Sequence, residues 1–569
     1  MEQDIINDYK RRADEARREI EKYERLINTY SLLRLVIFAL VVLSIYLAVK
    51  VNEFSLLAVL FILLMLCFAW LVSRQSFFIT QKNYFIALKT VNENEIASIS
   101  TGSNIYDNGS AFEDEKHYYT ADLDIFGNAS LYQLISRAAT SLGKQLLAGW
   151  LSSPSQKITI LKRQESLKEL LQKNDWKLDF QARLLFARKA SADQFDRLFV
   201  YLRTPFKLSG EHFLRPYIRI APYLLLSAIV AGYFYQVFYL IAIGIALVNF
   251  SILISKGSYL MKSGFVADKI GDALNNYVQV FEVIENTSWQ SEACSDLSKR
   301  LKEKQTTRQI AELSRLINKL SYSLIMIVGF VLNVVFLWAL KQVIAIEDWK
   351  RNNQQNLEDA FDVIAEYEAL ISLASLHINY PAWCFPEIAE GAGYTLAATR
   401  IAHPLINASS RIANDYELTN TYKIDIITGS NMAGKSTFLR TIGINTVLAL
   451  CGAPVCAASM KVSVVTILSY MRIKDSLNES TSTFKAELDR LQMLLAAVDS
   501  DAKIFFLIDE MLRGTNSVDK YLGSKAVIEQ LIHKKGVGMV ATHDLQIAQL
   551  EKQYPDYIRN FYFDIQVKE

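Results

Sequence analysis

The chain has 569 residues, enough for several domains, and its 61 Lys and Arg residues nearly balance 59 Asp and Glu residues. This balance excludes a global basic field of the kind that binds nucleic acid non-specifically, although a local basic patch is still compatible with it. A hydrophobic content of 51% and a mean hydropathy of +0.14 are high for a soluble enzyme and low for a transporter that lies mostly in lipid, so they favour a soluble machine with a few membrane spans.

Residues 1–31 predict one charged amphipathic helix and no signal peptide, because no apolar segment follows a short basic start. Apolar or small side chains recur there at alternating spacings of three and four residues: Ile6, Tyr9, Ala13, Ala16, Ile20, Tyr23 and Ile27. Such a seam suits a helix that packs on its own domain and equally suits a short self-associating stalk.

Residues 32–75 predict a first transmembrane hairpin. Two apolar runs, 35–49 and 54–72, are separated only by the four residues KVNE, and the second run carries no charge over about the length of a span. Basic residues such as Arg25 and Arg34 precede the first run. The positive-inside rule therefore places the amino terminus in the cytoplasm.

Residues 221–256 predict a second hairpin of two short spans that turns near Gln236. A third apolar stretch, 321–340, also passes a hydropathy threshold. An odd number of crossings would put the carboxyl-terminal domain on the opposite side of the membrane from the amino terminus, outside the cytoplasm. We therefore expect four spans plus a buried or membrane-grazing helix, with the amino terminus, core and carboxyl-terminal domain all cytoplasmic.

The remaining sequence before about residue 395 is helical in pattern, with a first core part at 76–220 and a second lever and core part at 257–395. From residue 396 to 569 the sequence pattern changes: short runs of β-branched or aromatic residues, typical of strands, alternate with helical patterns. The predicted fold class is therefore α+α/β, an all-helical region with transmembrane hairpins followed by an α/β nucleotide-binding domain.

The stretch GSNMAGKST, 429–437, fits the phosphate-binding pattern G-x-x-x-x-G-K-[ST] between a predicted strand and a predicted helix. Gly429 and Gly434 allow backbone N–H groups to wrap a phosphate, and the helix N-terminus adds partial positive charge. Lys435 is expected to reach the β- and γ-phosphates, and the Ser436 hydroxyl is expected to bind Mg²⁺.

Two acids follow the apolar run 504–508. Asp509 ends this predicted strand, so it lies at the carboxyl edge of a parallel sheet, where a Mg²⁺ ligand belongs. Glu510 follows directly and is suited to polarise the attacking water, which indicates hydrolysis rather than nucleotide holding alone. His543 ends another predicted strand, and beside the other elements it is a candidate sensor of the γ-phosphate.

Four motifs, GSNMAGKST (429–437), STSTFKAEL (480–488), LIDEMLRGTNS (507–517) and ATH (541–543), together resemble those of the MutS family of mismatch-repair ATPases. GSNMAGKST is similar to the family's G-P-N-M-G-G-K-S-T loop, and LIDEMLRGTNS (507–517) to its L-M-D-E-x-x-R-G-T-S. STSTFKAEL (480–488) resembles its S-T-F-x-x-E segment, and ATH (541–543) its A-T-H. The resemblance covers roughly residues 120–200 and 360–565.

This resemblance implies an ABC-type P-loop ATPase that works as a homodimer, with ATP and Mg²⁺ as cofactors and helical levers that move with the nucleotide. Asn431 would contact the γ-phosphate, and Ser482 would reach the partner's nucleotide in trans. Lys435, Glu510 and His543 would act in catalysis, and Ser436 and Asp509 would hold the metal. The implied nucleotide-binding set is Gly429, Ser430, Asn431, Met432, Ala433, Gly434, Lys435, Ser436, Thr437 and Ser482.

The chain also departs from the family pattern. No equivalent of the mismatch-reading Phe-x-Glu motif is found, and a membrane hairpin occupies that end, so membrane lipid is an expected partner and DNA binding stays open. Ser430 and Ala433 stand where the family has proline and glycine, and Leu512 replaces a glycine after the acid pair. Arg411 stands where the family has an aromatic residue that would stack on adenine.

Three functions fit these observations. The first is a membrane-anchored MutS-like ATPase with possible DNA contact. The second is an ABC transporter subunit, which would need an L-S-G-G-Q signature where this chain has STSTFKAEL, and usually six spans per half. The third is a membrane scaffold that only holds nucleotide, against which the intact Glu510 argues.

Overall fold

The structure is a computed structural model, and it describes residues 2–51, 54–188, 200, 210–260, 270–324, 326–430, 433–471, 483–499 and 503–564. The chain divides into two compact units. The first comprises Met1–Ala138, Lys144–Ala182 and Glu368–Glu569, and the second comprises Ala139–Gly143 and Arg183–Tyr367.

The first unit begins with two long helices, α1 (Glu2–Val51) and α2 (Phe54–Thr101). They pack side by side through aromatic contacts such as Tyr23–Phe85 and Tyr30–Phe78, with ring centroids 5.8 and 5.0 Å apart. Tyr9 is buried in the same unit. The amino-terminal seam is therefore covered by its own domain, and the amphipathic helix predicted over 1–31 continues without a break into the first apolar run.

Large apolar side chains of this first hairpin are exposed near its turn. Four helices of the described chain are long and apolar enough to cross a membrane by length and composition: Glu2–Leu47, Val59–Thr101, Glu211–Phe234 and Val237–Ser255. A bent pair, Gly329–Phe336 with Trp338–Asn353, could add a fifth.

Short helices follow along the chain, with most of their residues in the first unit: α3 (Leu131–Ile135), α4 (Ser141–Ser152), α5 (Lys157–Gln172) and α6 (Asn174–Leu184). The helical pattern of the first core part is interrupted between α3 and α4. Arg137 lies in that interruption and forms a buried ion pair with Glu95 of α2, with Nε–Oε1 and Nη2–Oε2 distances of 2.7 and 2.8 Å. The backbone is not helical at this point, and Arg137 instead contacts a distant part of the chain.

The second unit is helical over its described residues. Its helices are α7 (Glu211–Phe234), α8 (Val237–Ser255), α9 (Ile270–Glu285), α10 (Glu292–Glu303), α11 (Thr306–Ser321) and α12 (Met326–Phe336). The next helix, α13 (Trp338–Asn379), has 42 residues and continues past the unit boundary. The turn between α7 and α8 falls at Tyr235 and Gln236, where the sequence predicts it.

The carboxyl-terminal region is α/β, as the sequence predicts. One sheet has four strands in the order β1-β5-β2-β3, namely β1 (Glu387–Ala389), β5 (Ser459–Ser463), β2 (Tyr394–Ile401) and β3 (Asn414–Thr421). Its first strand precedes the domain limit expected at residue 395. That strand pairs with β5, far along the chain, so no local pattern marks it.

The second sheet is entirely parallel and has the order β6-β7-β8-β4-β9. Its strands are β4 (Ile424–Gly429), β6 (Thr466–Tyr470), β7 (Ile504–Asp509), β8 (Val537–Ala541) and β9 (Ile558–Phe563). Helices α14 (Lys435–Cys451), α15 (Thr483–Val498), α16 (Ser517–His533), α17 (Leu545–Ala548) and α18 (Leu550–Gln553) accompany them. The buried strands β4, β7 and β8 are neighbours, so their carboxyl ends meet at one edge.

Candidate functional site

The loop after β4 depends on two glycines. Gly429 has φ +146°, and a Cβ there would lie 2.2 Å from the carbonyl oxygen of Phe563 on the adjacent strand β9. Gly434 has φ +89° and precedes the first residue of α14. Both conformations favour glycine, which explains the spacing of the motif. Asn431 and Met432 lie outside the described residues.

The side chain of Lys435 lies inside this loop. It is almost fully buried, and its Nζ donates to the carbonyl oxygens of Gly429 and Ser430 at 2.8 and 2.9 Å. These carbonyls hold the ammonium group next to the backbone of the loop, at the N-terminus of a 17-residue helix. Because a helix N-terminus also attracts negative charge, the loop is suited to bind a phosphate.

Ser436 and Asp509 come together at the edge of the parallel sheet. Asp509 is the last residue of β7, and its carboxylate accepts a hydrogen bond from the Ser436 side chain. Burial raises the pKa of Asp509, while the Ser436 hydrogen bond and the Arg513 charge oppose that rise. A hydroxyl and a carboxylate side by side are oxygen ligands of the type that Mg²⁺ prefers.

Glu510 adopts a left-handed backbone conformation, φ +55°, and its N–H donates to the Ala541 carbonyl at 3.0 Å. Its carboxylate Oε1 lies 3.0 Å from His543 Nδ1. Burial alone would raise the pKa of Glu510, but the hydrogen bond and charge of His543 together with Arg513 bring it below its ordinary value. The carboxylate is therefore ionised at neutral pH and able to accept a proton.

Arg513 and Glu487 also belong to this site, although the sequence motifs gave Arg513 no role. The Arg513 guanidinium donates to the Asp509 carbonyl at 3.1 Å and lies 3.5 Å from the Glu510 carboxylate. The Arg513 backbone N–H donates to Glu487 Oε1 at 3.2 Å. Glu487 lies on α15, so it connects this helix to the turn that carries both acids. Ser482, just before α15, lies outside the described residues.

The segment 116–124 packs against the same domain, within the first unit. Asp124 accepts from Arg440 of α14 at 3.2 Å, and Asp122 accepts from the Ser469 hydroxyl of β6 at 2.7 Å. Arg490 of α15 donates to the Tyr118 carbonyl at 2.9 Å. This part of the helical core therefore contacts both the helix after the glycine loop and the helix that carries Glu487. Sequence reasoning missed these pairs, because no local pattern links residues so far apart.

Arg411, which stands where the family has an adenine-stacking aromatic residue, is engaged by its own loop. Its guanidinium donates to the carbonyl oxygens of Pro404 and Ile406 at 3.2 and 2.7 Å. It also lies over the Trp383 ring, 5.6 Å from the centroid. The side chain is therefore engaged with its own loop and does not provide an open stacking surface, because the charged guanidinium finds carbonyl partners there.

We expect replacement of Gly429 by alanine to destabilise the chain by about 1–3 kcal/mol, because the added methyl group meets the Phe563 carbonyl and an alanine is strained at this φ. Thermal unfolding of the full chain measures this. The matched control is Gly149→Ala in the middle of α4, where no atom lies within 4 Å of the added Cβ. Equal melting temperatures for both variants would contradict the role given to Gly429.

A parallel sheet with a glycine loop after one strand, and an acid pair after its second neighbour along the sheet, is typical of nucleotide-binding α/β domains. Residues 425–569 match the family model of MutS domain V. The chain is also 31% identical to the DNA mismatch repair protein MutS of Aquifex pyrophilus over 208 residues, which are 36% of this chain and 24% of that protein. It is 31% identical to the DNA mismatch repair protein MutS of Thermotoga maritima over 214 residues, which are 37% of this chain and 26% of that protein.

A mammalian relative is similar over a somewhat smaller fraction of the chain. The MutS protein homolog 4 of Mus musculus is 33% identical over 177 residues, which are 30% of this chain and 18% of that protein. The carboxyl-terminal third of the chain is thus similar to MutS-family proteins. It spans about a quarter or less of the length of these three relatives.

Proposed function

We propose that this chain is a membrane-anchored MutS-family ATPase, which binds and hydrolyses ATP as a dimer and moves helical levers. The observation that carries the proposal is the convergence of Lys435, the Ser436–Asp509 pair and the Glu510–His543 pair at one edge of the parallel sheet. The relatives named as MutS match this chain over the same region.

The residues present fit a magnesium nucleotide. The loop 429–437 would bind the phosphates through its backbone and through Lys435, whose ammonium group already lies against the loop carbonyls. Ser436 and Asp509 would hold the Mg²⁺ ion, which supplies charge stabilisation to the phosphates when bound. Asn431, Met432, Ala433 and Thr437 complete the proposed binding set.

Glu510 is the proposed general base. Its ionised carboxylate can orient a water molecule and accept its proton, and the hydrogen bond from His543 fixes the direction of that carboxylate. Arg513 stabilises the turn that carries both acids, because its guanidinium donates a hydrogen bond to the Asp509 carbonyl oxygen. His543 is half-exposed, which leaves it accessible to a bound phosphate as well.

Dimer formation through the ATPase domains is proposed from the family and from exposed apolar side chains near the site. Val518 and Leu522 of α16 and Leu545 of α17 are exposed by 67, 56 and 65%. Val518 and Leu522 lie four residues apart on the same helix face, and adjacent exposed apolar side chains are a feature of surfaces that meet a partner. Ser482 would act across this interface on the partner's nucleotide.

Membrane lipid is the proposed partner of the two hairpins. Their helices carry exposed apolar side chains over lengths that fit a hydrocarbon core of about 30 Å. Four crossings would leave the amino terminus, the helical core and the ATPase domain in the cytoplasm. The 42-residue helix α13 is then a candidate lever.

DNA binding is a separate proposal, supported by the names of the relatives and opposed by the near-neutral net charge of +2. Its test is a salt-titrated binding assay on duplex, mismatched and branched DNA. Phosphate contacts require affinity to fall steeply with salt. No affinity even at low salt would remove DNA from the account and leave the ATPase proposal intact.

We expect Lys435→Ala to lower nucleotide affinity by at least about tenfold, because a buried charge partner of the phosphates is lost. Equilibrium titration of the full chain with a fluorescent ATP analogue and Mg²⁺ measures this. Lys461→Ala is the matched control, because Lys461 lies on β5 and pairs with Glu387 on the surface. Unchanged affinity in Lys435→Ala would contradict the proposed phosphate site.

A further inference from the structure

The two ends of the apolar segment between Lys319 and Trp338 lie next to each other. The Trp338 indole Nε1 donates to the Lys319 carbonyl oxygen at 2.7 Å, so the last turn of α11 and the first residue of α13 are in direct contact. Inside the segment, a Cβ on Gly329 would lie 2.2 Å from the Ser323 carbonyl oxygen. Helix α12 therefore folds back directly onto the 3₁₀ turn Tyr322–Leu324.

Helix α12 is too short to cross a membrane. Its 11 residues rise about 16 Å at about 1.5 Å per residue, roughly half of a hydrocarbon core of about 30 Å. A bend of 77° then separates Gly329–Phe336 from Trp338–Asn353. Leu337, at the bend, has φ +48°, and the Ala339 N–H donates to the Asn333 side-chain oxygen at 2.8 Å. This side chain provides the hydrogen-bond partner that a broken helix needs in lipid.

The second hairpin holds α12 through a buried amide. Asn249 of α8 is fully buried, and its Nδ2 donates to the Val334 carbonyl oxygen at 2.7 Å. The Tyr217 hydroxyl of α7 donates to Asn249 Oδ1 at 2.8 Å. Asn249 lies six residues before the end of α8 at Ser255, or about 9 Å along that helix. Val335 packs against the apolar cluster of α7 and α8.

The outer face of α12 continues the apolar surface of the hairpin. Phe330 and Val331 are 60 and 52% exposed, and the Phe330 ring lies 6.3 Å from that of Phe250 on α8. Phe250 is itself exposed on a helix of membrane-spanning length. The partner that suits such a surface, continuous with a spanning helix and free of charge, is a lipid acyl chain.

We propose that residues 320–324 and 326–337 form a re-entrant segment, which enters the cytoplasmic leaflet beside the second hairpin and leaves it on the same side, with Phe330 and Val331 against acyl chains. The inference rests on the proposed membrane anchoring of the two hairpins. It keeps the number of crossings at four, so the ATPase domain stays on the side of the amino terminus. It also starts the long helix α13 at the membrane surface.

Variants of the full chain that each carry one added cysteine test this inference in sealed vesicles of both orientations. In their background the native cysteines that are not buried, Cys67 and Cys384, are replaced by alanine. A membrane-impermeant maleimide should label exposed Lys319→Cys and Lys341→Cys from the cytoplasmic side. It should label Tyr235→Cys, at the tip of the second hairpin, from the opposite side. Phe330→Cys should be labelled from neither side until detergent is added.

Each other result has a distinct meaning. Labelling of Lys319→Cys and Lys341→Cys from opposite sides would overturn the re-entrant segment and leave the anchoring in place. Free labelling of Phe330→Cys from the cytoplasmic side would place α12 outside lipid, which also overturns it. Labelling of Tyr235→Cys from the cytoplasmic side, with release of the chain by alkaline carbonate, would overturn the anchoring itself and the re-entrant segment with it.

The buried amide gives a second variant. In the Phe330→Cys background, Asn249→Ala should allow labelling without detergent, because α12 loses its polar attachment to α8. Ser251→Ala is the control, since Ser251 is exposed on the same helix. Continued protection of Phe330→Cys in the Asn249→Ala chain would contradict the anchoring role of Asn249.

Discussion

Replacement of Glu510 by glutamine is expected to lower ATP turnover by about 10²–10⁴-fold, because the proposed general base can then no longer accept a proton. The variant keeps the size of the side chain and the site of the His543 contact, so nucleotide affinity should stay near that of the unchanged chain. Turnover is measured as phosphate release at saturating ATP and Mg²⁺, and affinity by equilibrium titration.

The control for this variant is Glu529→Gln on α16, where the carboxylate faces Lys525 at 3.9 Å and is not part of the site. It should leave turnover unchanged. If the Glu510→Gln chain hydrolyses ATP at the full rate, the assignment of Glu510 as the general base is wrong. That result would not support a scaffold that only holds nucleotide, because ATP would still be hydrolysed. Absence of turnover in the unchanged chain would favour that hypothesis instead.

The second large effect is expected on stability. Glu95→Gln should destabilise the chain by about 3–5 kcal/mol, because it leaves Arg137 buried without its counter-charge. The same carboxylate accepts a hydrogen bond from Asn379 at 2.7 Å, so α2, the segment after α3 and the end of α13 all lose a shared contact. Thermal unfolding of the full chain in detergent measures the loss.

Glu93→Gln is the matched control, since Glu93 lies on the same helix and forms only a surface pair with Lys89. It should change stability by less than about 1 kcal/mol. Comparable melting temperatures for Glu95→Gln and Glu93→Gln would show that the buried pair does not hold these elements together.

The same pair predicts how stability depends on pH. Burial alone would raise the pKa of Glu95, but the charges of Arg137 and Lys177 lower it from 4.5 to about 2. A group whose folded pKa is depressed contributes its full stability above pH 4.5 and loses it as the pH falls towards 2. Burial lowers the pKa of Lys177 from 10.5 to about 8, so this lysine adds stability as the pH rises through that interval.

Local patterns predicted those parts of the site that are continuous in sequence. The strand before Gly429, the helix from Lys435 and the acid at the end of β7 each depend on a short run of residues, and the structure has all three. The parallel order of the sheet then brings them together. The positions of these three elements were therefore predictable from local sequence patterns.

The contacts that the sequence did not reveal join residues far apart. Arg137 pairs with Glu95 at a separation of 42 residues, and Arg440 with Asp124 at a separation of 316. Such pairs depend on tertiary packing, which no periodic pattern reports. The apolar pattern of the first 31 residues also leaves the packing partner of that helix undetermined, because it fits self-association and intramolecular packing alike. In the structure these residues pack against α2 of the same chain.

The most direct test of the account is ATP hydrolysis by the full chain in lipid vesicles after a wash with alkaline carbonate. We expect Mg²⁺-dependent phosphate release that sediments with the vesicles and is lost in both Lys435→Ala and Glu510→Gln. Phosphate release that is equal in the unchanged chain and both variants, or that leaves the vesicles with the wash, would contradict a membrane-anchored ATPase of the MutS family.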